Sequence, residues 1–135
     1  MPYKIDEIEG IGPSYAEKLS AANVATTDDL LNLCCTPDGR KTIAAATGLS
    51  EKLLLKWSNL ADLMRISGIG PQFSELLEGA GVDTVKELRT RNAENLAAKM
   101  EEVNNQKKLA RTSPPVPTVE KWISVAKDIQ PKITY

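Results

Sequence analysis

The segment Ile8-Glu9-Gly10-Ile11-Gly12-Pro13 recurs 58 residues later as Ile66-Ser67-Gly68-Ile69-Gly70-Pro71. No other feature constrains the fold as strongly, because an internal repeat implies one supersecondary unit built twice. The match runs on beyond the proline. Tyr15 pairs with Phe73, Leu19 with Leu77, Ala22 with Ala80, Val24 with Val82, Thr26 with Thr84 and Leu30 with Leu88. Further along the offset widens to 65, where Lys56-Trp57 returns as Lys121-Trp122 and Ala61 as Ala126. The difference of seven predicts an insertion in the second copy, near Asn104 to Pro117. The copies divide as residues 1–65 and 66–135. Asp62-Leu63-Met64-Arg65 joins them without a flexible linker, which predicts one continuous body.

Each copy reads as helices. Proline suits the first turn of a helix, where its missing N–H is not needed, so Pro13 and Pro71 follow a glycine cap. Tyr15, Ala16, Leu19 and Ala22 then fall at helical spacing. Asn23 and Gly81 suit the left-handed conformation that ends a helix. Thr26 and Asp29, three apart, predict a capping box for a second helix, with Leu30, Leu31 and Leu33 as its apolar side. Thr36-Pro37 opens a third helix and Gly48 stops it. Ser50 caps a fourth, whose stripe is Leu53, Leu54, Trp57, Leu60, Ala61 and Met64. In the second copy Asp83 or Thr84, Asn92 and Thr118 are the expected caps, and Val119, Trp122, Ile123 and Ala126 line the last helix. Ser113-Pro114-Pro115-Val116-Pro117 reads as a stiff extended loop. No segment alternates with the period of a strand. The expected class is all-α, a compact bundle of short helices. Trp57 and Trp122 occupy equivalent positions, which favours shared core anchors over a ligand cage.

Composition narrows the function. There is no histidine, which excludes Ser-His-Asp, Cys-His and His-metal chemistry. The two cysteines, Cys34 and Cys35, are adjacent and match no metal pattern; small buried residues are their expected role. No P-loop or carboxylate pair stands out, so neither enzyme, metal, cofactor nor small-molecule substrate is expected. No apolar run nears the roughly 20 residues of a membrane span. Residues Met1 to Glu9 lack a signal peptide's apolar stretch, so a cytoplasmic location is expected.

An apolar residue, Gly-apolar-Gly and a helix start form the helix-hairpin-helix signature. The turn leaves amides unpaired at the positive end of a helix, where a phosphate can dock. The candidate donors are Gly10, Gly12, Ser14 and Tyr15 in the first copy and Gly68, Gly70, Gln72 and Phe73 in the second, with Ile11 and Ile69 inside the turns. On these residues, on Ala46-Thr47-Gly48-Leu49-Ser50 and on Glu120-Lys121-Trp122, the chain resembles an uncharacterised bacterial tandem helix-hairpin-helix family, a domain of unknown function. The resemblance implies paired hairpins, with residues 46–50 a degenerate one. The wider superfamily mostly grips DNA backbone without reading sequence, and a few relatives bind proteins.

Charge complicates that implication. The DNA-binding pattern places Lys, Arg or Thr after Gly-x-Gly-Pro; here stand Ser14-Tyr15 and Gln72-Phe73. Residues 8–31 carry Lys18 against Glu9, Glu17, Asp28 and Asp29, and residues 66–88 carry Lys86 against Glu75, Glu78, Asp83 and Glu87, each a net −3. Backbone-directed binding depends on cations that replace counterions. Only residues 89–111 lean basic, at +3, with Lys107, Lys108 and Arg111 bordering the insertion. Two expectations stand: weak sequence-independent nucleic-acid binding, DNA before RNA, through the Gly-Ile-Gly-Pro hairpins, or a protein-interaction module anchored by Tyr15 and Phe73. A monovalent cation held by hairpin carbonyls is a further expectation.

Overall fold

A computed structural model describes residues 3–135. It is a compact, all-helical structure of eight α-helices, and the described residues hold no strand beyond an isolated bridge between Lys4 and Thr26. After a 3-10 turn at Ile5–Glu7 come α1 (Pro13–Ala21), α2 (Thr27–Cys34), α3 (Pro37–Thr47) and α4 (Glu51–Leu63). Then follow α5 (Pro71–Gly79), α6 (Val85–Leu88), α7 (Ala93–Lys107) and α8 (Val116–Asp128).

The caps explain the boundaries. Pro13 and Pro71 stand first in α1 and α5 behind Gly12 and Gly70. Asn23, at φ 68°, and Gly81, at 94°, take the left-handed conformation after α1 and α5. Thr26 and Asp29 close their capping box: the Thr26 hydroxyl accepts from the Asp29 amide at 3.1 Å, and Asp29 accepts from the Thr26 amide. Thr36, Ser50, Thr84 and Asn92 cap α3, α4, α6 and α7 through their side-chain oxygens.

Two expectations fail locally. Thr118 caps nothing; α8 begins two residues earlier, at Val116, behind Pro115. Proline needs no amide partner in a first turn, so Pro117 sits inside the helix and Val116-Pro117 leave the extended loop. In α2 the stripe is Leu30, Leu31 and Cys34, all buried, whereas Leu33 is 41% exposed. Helical geometry puts residue 34 over 30 and 31, and turns 33 away. Where seven extra residues were expected, α7 is 15 residues against 11 in α3, and residues 108–115 replace the short link 48–50.

Two apolar clusters fill the interior. One gathers Ile5, Ile8, Ile11, Leu19, Val24, Leu30, Trp57 and neighbours from the first half, with Ile133 returning to it from the last residues. The other gathers Leu63, Ile66, Ile69, Leu77, Val82, Leu88, Met100 and Trp122. Both tryptophans are 2% exposed, so they anchor cores. Helix α4 packs on α5, and polar ties bridge the halves, among them the Thr134 amide donating to the Cys35 carbonyl at 2.8 Å. The Arg40 guanidinium, 5% exposed, donates to the Cys34 carbonyl at 3.0 Å and the Thr134 carbonyl at 2.7 Å. Arg65 donates to the Gln130 carbonyl, and Asp62 accepts from the Val85 amide.

Cys34 and Cys35 are both free. Burial pushes the Cys34 thiol up to about 11, against the pull of Arg40. Thiolate is the reactive form, so the folded chain should consume only one equivalent of a thiol reagent at pH 7.5, at half-buried Cys35. Two equivalents reacting at the same rate would contradict this burial.

Candidate binding hairpins

The two Gly-Ile-Gly-Pro segments fold alike. The Ile11 amide donates to the Ile8 carbonyl at 3.1 Å, and the Ile69 amide to the Ile66 carbonyl at 3.0 Å, closing both turns. Gly10 and Gly68, at φ 93° and 96°, hold left-handed backbone that other residues rarely adopt. Gly12 and Gly70 are different: they sit in extended backbone that any residue takes. A Cβ on Gly12 would meet nothing within 4 Å. The first glycine of each pair therefore makes the turn, and the second leaves the backbone open to approach.

Each turn rests on a tryptophan. The Trp57 indole nitrogen lies 3.6 Å from where a Gly10 Cβ would stand, and that of Trp122 lies 3.2 Å from its counterpart on Gly68. Tyr15 tilts against Trp57 and Phe73 against Trp122, both with centroids 5.3 Å apart and planes at 55° and 56°. Tyr15 and Phe73 are thus half-buried wedges between turn and core rather than free-standing anchors.

The amides of Gly10, Gly12, Ser14 and Tyr15, and of Gly68, Gly70, Gln72 and Phe73, donate to no acceptor among the described residues. Ile11 and Ile69 must be removed from the binding positions. Their side chains are 4% and 0% exposed, and their amides close the turns. The carbonyls of Ile8, Gly12, Ile66 and Gly70 accept from the chain's own amides.

The surroundings of the two turns differ. At the second, the Tyr3 hydroxyl comes within 3.3 Å of a Gly70 Cβ position. Tyr3 is fixed there by its own amide donating to the Thr27 hydroxyl and its carbonyl accepting from the Thr27 amide. Between them opens a groove of about 570 Å³, lined by Tyr3, Glu7, Pro71, Gln72 and Phe73 with the turn glycines. At the first turn, Glu9 enters a cleft of about 150 Å³ with Lys56, Glu75, Glu78 and Lys107. Burial, together with Glu9 and Glu78, raises the Glu75 carboxyl above its ordinary value, while Lys56 and Lys107 pull it back. The folded chain holds that proton more tightly than the unfolded one, so ionising Glu75 costs stability as pH rises through the carboxylate range.

The basic stretch 89–111 contributes less free charge than its composition suggests. Arg89 donates to the carbonyls of Ala126, Lys127 and Ile129 at the end of α8. Arg91 donates to the Gly81 carbonyl and pairs with Glu87 at 3.0 Å. Lys107, Lys108 and Arg111 are exposed. With Arg40 and Arg65 tied inside, four of the five arginines serve the fold. Arg91 and Glu87 are a local pair, four residues apart, but the bonds of Arg40 to Thr134, Arg65 to Gln130 and Arg89 to the end of α8, like the Tyr3 and Glu7 wall, carry no local sequence signal, because those partners lie far along the chain. Among the described residues no group of three Cys, Asp or Glu is placed to hold a metal ion, and no helix is long and apolar enough to cross a membrane.

The fold and the site define a class: an all-helical protein with two glycine turns, each feeding a proline-started helix whose first amides find no acceptor among the described residues. The family described as Domain of unknown function (DUF4332) matches residues 9–129, and the chain belongs to it. Comparison with curated proteins and with solved structures gives no match.

Proposed function

We propose that the chain is a non-enzymatic, cytoplasmic binding module of two helix-hairpin-helix units, residues 1–65 and 66–135, packed as one body, that engages a partner protein through its hairpins. Matched φ values, matched tryptophan supports and matched rows of free amides support the tandem reading. Two free thiols fit a reducing compartment. The observation that carries the protein reading is electrostatic. Glu7 lines the groove along the second turn and Glu9 directly precedes Gly10 of the first, while all but one of the arginines that would grip phosphate bind the chain's own carbonyls and carboxylates.

A second reading, weak sequence-independent binding of DNA backbone, draws on one specific observation. The fold sets Lys56 and Lys107 in one cleft with Glu9, the residue before the first glycine turn, and Lys108 and Arg111 are exposed nearby in the chain. Retardation of single- and double-stranded DNA at low and moderate salt separates the two. The protein reading expects no retarded species at about 150 mM salt, and a photo-crosslinking residue at Ser14 or Gln72 yields a discrete polypeptide adduct. Retardation that weakens steeply with salt and disappears in Gly12→Val would establish the DNA reading instead. Gly12→Val is a clean probe, since Gly12 sits in extended backbone and a Cβ there meets nothing within 4 Å.

A further inference from the structure

The groove beside the second hairpin differs from the first turn in having walls. We infer, resting on the protein-binding reading, that it takes an extended, cationic polypeptide segment of the partner.

Three observations lead there. The groove has about 570 Å³ of space and lies open along one side, the form of a surface groove rather than an enclosed pocket. Its walls are the Tyr3 ring, Pro71 and Phe73, apolar surfaces that suit side chains and aliphatic stems. Along it run the amides of Gly68, Gly70, Gln72 and Phe73, which lack acceptors. An extended segment presents free carbonyls to such a row of donors, whereas a helix uses its carbonyls internally.

Charge selects the sign of the occupant. Among the described residues, Glu7 is the only ionisable side chain of ordinary carboxylate or ammonium type in the lining, which holds no Lys or Arg. One Glu7 oxygen accepts from the Lys4 amide at 2.9 Å, which fixes the carboxylate at the rim. A phosphate entering here would meet that negative charge without a compensating cation. A Lys or Arg side chain would meet a positioned acceptor. The first hairpin offers no equivalent wall, because Gly12 faces open space.

The test is titration of the 15N-labelled full chain with blocked hexapeptides alternating Lys with Val, Glu with Val, and Ser with Val. The Lys peptide should move the amides of Gly68, Gly70, Gln72 and Phe73 in a saturable way, and the Glu peptide should not. Glu7→Gln keeps the acceptor for the Lys4 amide but removes the charge, and should weaken the Lys peptide about threefold, the size of an exposed ion pair. Glu101→Gln, an exposed carboxylate on α7 away from the groove, should leave the affinity unchanged. Equal binding of all three peptides, binding confined to other amides, or indifference to Glu7→Gln overturns the inference and leaves the protein reading standing on its crosslinking test. Displacement of the same amides by DNA, with no peptide effect, overturns both.

Discussion

Replacing Gly39 by alanine should lower the melting temperature by roughly 10 °C, following a loss of about 3 kcal/mol. From sequence alone the opposite sign is expected: Gly39 lies inside α3, where alanine is favoured over glycine by about 1 kcal/mol. The tertiary structure reverses it. A Cβ on Gly39 would overlap the backbone carbonyl oxygen of Leu33, near the end of α2, and would lie 3.2 Å from the Thr36 hydroxyl. A main-chain oxygen has no rotamer to move into, so relief requires opening the α2–α3 corner. The Thr36 cap on the Gly39 amide, at 3.1 Å, would loosen with it. Gly12→Ala is the matched control, in open space and ordinary backbone, and should stay within about 0.5 kcal/mol of the parent. A thermal melt followed by circular dichroism decides the matter; a Gly39→Ala variant melting within about 2 °C of the parent would show that the corner yields freely.

Asp62→Ala should be comparably damaging, at about 3 kcal/mol, read as a lower urea midpoint with unchanged slope. Asp62 is 1% exposed in the last turn of α4. One oxygen pairs with Arg65 at 2.7 Å; the other accepts from the Val85 amide at 2.9 Å. Val85 opens α6, a helix of only four residues, so the carboxylate satisfies an otherwise unpaired amide at the positive end of the helix. Removing it strands that buried amide and releases Arg65, whose other partner is the Gln130 carbonyl. Asp62→Asn keeps an acceptor for Val85 while losing the charge, and should cost about half as much. A loss below about 1 kcal/mol in Asp62→Ala would mean that water replaces the carboxylate at no cost.

Much of the local structure was legible because its causes are local. Proline after glycine, threonine three residues before aspartate, and glycine after the last apolar position each act within one turn of chain. Seven of the eight helix starts follow from local signals of this kind, with the Thr36, Ser50, Thr84 and Asn92 caps among them. The exception, Thr118, fails through the same local physics, since Pro117 tolerates a helix position that the reading denied it. Leu33 fails because leucine was counted by type, while the 100° step of the helix gives its place to Cys34. At the candidate hairpins the repeated glycines located the turns. Their spacing did not reveal that Gly10 and Gly68 alone require left-handed backbone, nor that Ile11 and Ile69 are sealed in the core.

The sequence by itself determined the class, all-helical and internally repeated, since periodicity and capping are short-range and the matched positions carry the same chemistry. Only the tertiary structure decided what the charges do. It drew Arg40, Arg65, Arg89 and Arg91 onto carbonyls of the chain itself, set Tyr3 and Glu7 over the second turn, and left the first turn open. Those pairings join residues as far as 94 positions apart, and no local rule acts over such distances because the contacts arise only when separate helices pack.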